Sequence, residues 1–228
     1  LRLAVGDHGI GFSDYVERDG DDTAAAVVAL AAAGVPIDYS VLNTFTRGDR
    51  CVAYPFETHG SFAVTARAAH AAHILGREAD EWRPYILSAQ QPDGWWTGDK
   101  WNRSRVFGTC LAMTALSDAE DPAAPAAVQA FLRYQHADGG WGCFGRSTVV
   151  ETAYALLALC NRVREGGSKA PCCTAIHTAR AYLRREYSPQ RVETERMWIC
   201  KDLYCVRRVD QAAVLCALLA ADALLGEG

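Results

Sequence analysis

The chain has 228 residues, half of them hydrophobic, which is length enough for one domain with a substantial buried core. Its 23 Lys and Arg against 27 Asp and Glu give a formal charge of -4, and neither end carries a basic arm, so nucleic acid is not an expected partner. Apolar stretches such as Thr23 to Ala33 and Ala212 to Leu225 are too short, or too interrupted by Asp222, to span a bilayer, and no charged segment leads into an apolar one as in a secretion signal; a cytoplasmic, soluble chain is expected.

In chain order, Ala/Leu/Val-rich runs of helical period close on Gly, Pro or Asp-Gly and then resume, the pattern of stacked helical hairpins. Asp21 and Asp22 with Thr23 can start a first helix that runs through Ala33 and stops at Gly34, with Val35-Pro36 beyond it, and acidic residues suit that first turn. A short extended piece is expected over Cys51 to Phe56. Further helices are expected over Ser61 to Leu75, Asp80 to Gln90, Arg103 to Leu116, Ala123 to Gln135, Ser147 to Arg164, Pro171 to Tyr187 and Val209 to Leu225.

Two segments repeat one another at a spacing of 45 residues, Gln90-Gln91-Pro92-Asp93-Gly94-Trp95-Trp96 and Gln135-His136-Ala137-Asp138-Gly139-Gly140-Trp141, both reading Q-x-x-D-G-x-W. A repeat of this period made of two helices must bury its faces on its neighbours, and a ring is the expected closure. Asp-Gly makes the turn after one helix, the Gln amide can bind backbone at the start of the next, and Trp covers the joint. These residues read as staples of a scaffold rather than as catalytic groups. The nine cysteines sit mainly within apolar helical patterns, as Cys110, Cys160 and Cys216 do, and read as reduced core thiols. Cys172-Cys173 are adjacent, Cys200 and Cys205 lack zinc-knuckle spacing, and the six histidines form no HExxH pair, so no structural metal site is expected.

The hairpin repeats resemble those of the triterpene cyclases and class II diterpene cyclases, in which Q-x-x-D-G-x-W is a hallmark. A second feature narrows the resemblance: Asp19-Gly20-Asp21-Asp22-Thr23-Ala24 matches the D-x-D-D-T-A motif of class II cyclases, and its approach, Gly9-Ile10-Gly11-Phe12, is similar to theirs. Trp95-Trp96-Thr97-Gly98-Asp99-Lys100-Trp101 is similar to the W-x-D-K-W segment of bacterial diterpene cyclases, and Met197 to Tyr204 resembles their late W-x-x-K-D-L-Y segment. The resemblance implies an all-α chain of the terpene cyclase β-domain type, an α/α barrel (toroid) of helical hairpins, with residues 1–228 forming a single domain that carries the acid motif. It also implies a two-domain βγ enzyme whose γ domain and first β-domain helix are expected before Leu1.

Protonating an isolated alkene demands a water-shielded acid, and clustered aspartates can supply one because neighbouring carboxyls push their proton affinities apart. By the family motif Asp21 is the proton donor, with Asp19 and Asp22 tuning and orienting it; the residues alone do not choose among the three. Tyr54, Phe56, Trp95, Trp101, Phe144 and Tyr204 are candidate walls for a cyclising cation, each also readable as ordinary packing. The retained diphosphate needs a cationic anchor: Lys100 by resemblance, with Lys201, Arg207 and Arg208 as weaker candidates, since basic residues at helix ends also face water or complement the dipole. Mg²⁺ is expected with the diphosphate, its ligands in the γ domain. No DDxxD motif for ionising a diphosphate occurs.

Where relatives show an Asn near the acid, this chain reads Phe62-Ala63-Val64-Thr65-Ala66-Arg67, so Thr65 or a water is expected as the partner of Asp21. His70 and His73 read as packed or surface residues rather than as a base. The resemblance implies cyclisation of geranylgeranyl diphosphate to a bicyclic, (ent-)copalyl-type diphosphate. Farnesyl diphosphate giving a drimenyl product, squalene giving hopene, and a non-catalytic α/α-toroid binding domain are the alternatives. A protein prenyltransferase β subunit would need an Asp/Cys/His zinc site that the sequence does not assemble.

Overall fold

The computed structural model of the chain describes residues 5–6, 8–97, 100–116, 122–167, 169–190, 196–199 and 203–226, with the side chains of Lys169, Leu203 and Tyr204 outside that description. Its internal contacts divide it into two compact units, Leu1–Ala89 and Gln90–Gly228. Among the described residues no helix is long and apolar enough to cross a membrane.

The first unit is built on two helices, α1 (Gly20–Ala32) and α2 (Phe62–Ile74), which pack against each other. Each begins where a short polar side chain in extended backbone closes back on the helix: Asp19 accepts from the Asp22 N–H, and Ser61 accepts from the Val64 N–H. The first helix therefore starts at Gly20, capped by Asp19, rather than at Asp21. It stops where Gly34 takes a positive φ of 66°. The buried faces are small, with Ala24, Ala26, Val27 and Leu30 on α1 and Ala63, Val64, Ala66, Ala68, Ala69, Ala71 and Ala72 on α2. Small faces let two backbones approach closely and place first-turn side chains accurately.

Between the helices lie a 3₁₀ turn (Tyr39–Thr44) and a hairpin of β1 (Thr46–Arg47) and β2 (Arg50–Cys51), paired Thr46 to Cys51 and Arg47 to Arg50. The expected extended piece over Cys51 to Phe56 is thus only its first residue. Pro55 has no N–H for a ladder, and the Glu57 carboxylate instead accepts from the Ala53 and Tyr54 amides at 3.2 and 3.3 Å, curling the chain into a turn. Arg47 fastens that turn to the hairpin, its guanidinium donating to Pro55 O at 2.6 Å and to Thr46 O at 2.7 Å. Helix α3 (Arg83–Ser88) is shorter than the expected Asp80 to Gln90, because Pro84 is tolerated only in a first turn and so fixes where the helix begins.

The second unit holds α4 (Arg105–Ala115), α5 (Ala123–Tyr134), α6 (Val149–Arg164), α7 (Lys169–Glu186), a hairpin of β3 (Trp198–Ile199) and β4 (Leu203–Tyr204), and α8 (Arg207–Leu225). Helix α6 is its centre, packing against α4, α7 and α8. Helices α7 and α8 each start two residues before the positions read from the sequence, and α8 ends at Gly226 with φ 73°.

The two repeat segments fold alike. Gly94 and Gly139 share a φ of 92°, and a Cβ on either would lie 2.4 Å from Ala126 O or 2.6 Å from Thr178 O, so the turn admits only glycine. Gln90 Nε2 donates to Gly94 O and to Ala123 O, the first residue of α5, at 3.2 and 3.0 Å. Gln135 Nε2 repeats this toward Gly139 O at 2.8 Å and Ala175 O at 3.1 Å, within α7 rather than at its start. The Trp96 and Trp141 amides donate to Thr109 and Thr152 hydroxyls at 2.9 and 3.0 Å, locking each turn onto the following helix. Cys51, Cys110, Cys160 and Cys172 are buried free thiols, but Cys216 is exposed on α8 beside Leu215 and Leu219, which corrects its reading as a core thiol.

Candidate active site

Asp19, Asp21 and Asp22 converge on the first turn of α1 with three different environments. Asp19 caps the helix, its Oδ1 accepting from the Asp22 amide at 2.8 Å, and is only 7 % exposed. Burial pushes its carboxyl up to about 7, with the charges of Asp22 and Asp21 adding to the rise and the backbone bond only partly offsetting it. Asp22 is raised as well, first by burial and then by the charge of Asp21, while a hydrogen bond from Asp19 and the nearby Arg67 guanidinium pull it down. Asp21 is paired differently, its Oδ1 accepting from Nη1 of Arg67 on α2. The triplet therefore holds two carboxyls biased toward the neutral acid beside one that is salt-bridged.

The surrounding chain fixes this turn from three sides. Gly20 donates its N–H to Ala53 O at 2.7 Å, and a Cβ there would lie 2.6 Å from Val52 O and 2.8 Å from Val64 Cγ1. Thr23, fully buried, exchanges bonds with Ile10 through its hydroxyl, accepting from N at 3.0 Å and donating to O at 3.1 Å. The Asp19 amide also donates to Ile10 O. So the Gly9 to Gly11 segment lies over the helix start, and Ile10, Gly11 and Phe12 join Asp22, Ala25 and Ala26 around an open cleft of about 340 Å³. That is the low end of ligand-pocket sizes, with apolar walls and one carboxyl. Phe12, at 72 % exposure, is its aromatic edge.

Comparison with known proteins places these features. The family model for the squalene-hopene cyclase C-terminal domain matches residues 63–175. The chain is 43% identical over 221 residues to the (+)-kolavenyl diphosphate synthase of Herpetosiphon aurantiacus, covering 96% of the chain and 42% of that protein. It is 32% identical to the ent-copalyl diphosphate synthase of Streptomyces sp. strain KO-3988, covering 98% of the chain and 45% of that protein. The solved ent-copalyl diphosphate synthase of Streptomyces platensis superposes with a TM-score of 0.86 at 29% identity, over 96% of the chain and 45% of its own. The chain belongs to the class II terpene cyclase family. Its fold is accordingly the all-α, α/α-barrel type of that family, and it spans less than half the length of these cyclases.

Against the cyclase pattern, the partner of Asp21 is a correction. Thr65 is fully buried and turned the other way, accepting from the Cys51 amide at 2.9 Å and donating to Ser61 O at 2.7 Å. The group that reaches Asp21 is Arg67, two residues further along α2 and not among the expected partners. A basic residue in an alanine-rich helix with buried neighbours on both sides requires an acidic partner, and that was the available signal.

The other expected site residues sit in varied settings. Tyr54 and Phe56 stack at 5.4 Å with an interplanar angle of 6°, and Phe56 is 76 % exposed. Trp95 is enclosed by Phe131, Tyr134 and the Arg105 guanidinium, so protein already occupies its ring faces. Phe144 is exposed beneath the Arg103 guanidinium, and Lys100 is exposed with Nζ 5.1 Å from the half-buried Trp101 ring. Arg207 and Arg208 are exposed in the first turn of α8, where the helix dipole is positive, so dipole complementation does not account for them. Lys201 and the side chain of Tyr204 lie outside the described residues. Burial lowers His70 to about 4, with His73 adding to it, so His70 is neutral at physiological pH.

The second unit holds a buried acidic knot that the sequence did not announce. Glu151 is fully buried and accepts from Ser104 Oγ at 2.7 Å, Thr148 Oγ1 at 3.0 Å and the Cys143 amide at 3.2 Å. It ties α4 to α6. A small hollow lined by Tyr187, Arg207, Asp210 and Gln211 offers about 10 Å³, room for roughly one water.

Proposed function

We propose that this chain is the acid-bearing part of a class II diterpene cyclase, which protonates the terminal alkene of geranylgeranyl diphosphate and closes a bicyclic diphosphate without cleaving the carbon–oxygen bond. The observation that carries the reading is the aspartate triplet at the start of α1: two carboxyls raised by burial and mutual charge, one of them on an apolar cleft. Surface caps do not combine burial with shared protons, so the non-catalytic reading loses its support. The family motif puts the donation on Asp21, while Asp19 and Asp22, the two carboxyls biased toward the neutral form, hold and orient the proton. In the step itself the carboxyl O–H bond breaks, the proton joins the less substituted alkene carbon, and the π electrons form the new C–H bond. A tertiary cation and an aspartate anion result, and charge is conserved.

Lys100 is the anchor for the diphosphate, with Arg207 and Arg208 next. Mg²⁺ accompanies the diphosphate, with its ligands in the γ domain of the enzyme. The product is of the copalyl type. A kolavenyl-type product is the second reading, favoured by the 43% identity to a kolavenyl diphosphate synthase against 32% to an ent-copalyl one.

The test is to incubate the full polypeptide carrying this sequence with geranylgeranyl diphosphate and Mg²⁺, dephosphorylate, and identify the alcohol by mass spectrometry and NMR. A bicyclic alcohol is expected, and Asp21→Asn should lose it by about 10²-fold or more. Recovery of geranylgeraniol alone would remove the diterpene assignment and send the assay to farnesyl diphosphate and squalene.

A further inference from the structure

Arg67 and Asp21 meet between α1 and α2 with side chains only 16% and 18% exposed, among helix faces made mostly of alanine with valine and leucine. A mostly desolvated ion pair is a poor way to hold two helices together, because apolar residues of the same volume would do so at least as well. The pair therefore has to be explained by what it does to the carboxyl. Arg67 engages Oδ1 of Asp21. The charged groups acting on the neighbouring carboxyls are those of this same cluster: Asp21 and Asp22 on Asp19, and Asp21 and Arg67 on Asp22.

We infer that Arg67 is a positioning residue for the acid: it pins Asp21 through Oδ1 and stabilises the carboxylate that proton delivery leaves behind. The inference rests on the cyclase reading above. A neutral amide at this place would supply a hydrogen bond, whereas a guanidinium supplies a charge-assisted one, roughly twice as strong, and its strength grows as the aspartate becomes anionic. The interaction is thus weaker before proton transfer than after it, which is the condition for lowering a barrier rather than merely binding. Asp19 and Asp22, adjacent and biased toward their neutral forms, are the store from which Asp21 is recharged.

Arg67→Gln and Arg67→Lys, made in the full polypeptide, test this with geranylgeranyl diphosphate as the probe and with carboxyl-carbon NMR in its absence. Arg67→Gln should lower kcat by about 10²-fold with KM within about threefold, and Arg67→Lys, which keeps the charge but loses the fork, by about tenfold or less. Without substrate, Asp22 should titrate at higher pH in Arg67→Gln than in wild type, and as wild type in Arg67→Lys, because the guanidinium charge lowers it. A kcat for Arg67→Gln within about threefold of wild type overturns the inference, as does an Asp22 titration that does not move. Should Arg67→Gln not fold, an unchanged kcat in Arg67→Lys overturns it and a fall of about three- to tenfold at constant KM upholds it. If wild type turns over nothing while Asp22 still shifts, the cyclase reading fails and the positioning of the cluster by Arg67 stands.

Discussion

Asp19 does two jobs whose pH requirements can be separated. Its Oδ1 caps α1, which an asparagine would do equally well, while its buried carboxyl holds a proton up to about pH 7. A folded-state value raised above the unfolded 3.8 means that the native chain keeps a proton the unfolded chain releases, so this contribution is full below about pH 4 and is lost as pH rises toward about 7. Glu165, raised by burial from 4.5 to about 7, acts in the same sense in the second unit. Asp19→Asn should keep the cap and flatten the pH dependence of first-unit stability over that window, measured as denaturant midpoints; an undiminished slope would mean that Asp19 is not the proton holder. The triplet itself was legible, because its spacing is a motif. Which member holds a proton was not, because that follows from burial and from a guanidinium 46 residues away.

Helices were legible wherever apolar period and punctuation agreed, and their errors were local. Pro84 shortened α3, Pro55 and Glu57 curled an expected strand, and the β3–β4 hairpin carries no alternating pattern in its two-residue strands to betray it. The repeats were the most informative element, since the Asp-Gly turn and the Gln amide each found the kind of partner their chemistry requires. Gly139→Ala combines a positive φ with a Cβ 2.6 Å from Thr178 O, and should cost roughly 1–3 kcal/mol of second-unit stability in urea titration. A loss under about 0.5 kcal/mol would show that the α7 backbone yields at that contact.

Over the whole molecule, the apolar period and the repeats were enough to read the all-α class, and the resemblance of the repeats and the aspartate motif to those of the cyclases gave the family, while the division into two compact units depends on contacts rather than on any break in pattern. Thiols sample both units at once. Burial pushes Cys51 in the first unit, and Cys110 and Cys160 in the second, up to about 12, so they are both protonated and enclosed. Cys216 is exposed. A thiol-alkylating reagent under native conditions should mark Cys216 first, with Cys51, Cys110 and Cys160 labelled only as denaturant opens their own unit; peptide mapping by mass spectrometry reads the order, and early labelling of Cys110 would contradict the packing. Cys51 appearing at a lower denaturant concentration than Cys110 and Cys160 would show that the units open independently.

The glycine inside the aspartate triplet gives the acid its address. With the Val52 carbonyl and the Val64 side chain closing on Gly20, α1 cannot slide or roll without collision, so the three carboxyls are indexed to the hairpin below them, which Arg47 knots to Pro55. The calibration of the acid is therefore stored in parts that never meet a proton, and wear in that small hairpin would detune a site whose own residues were all intact.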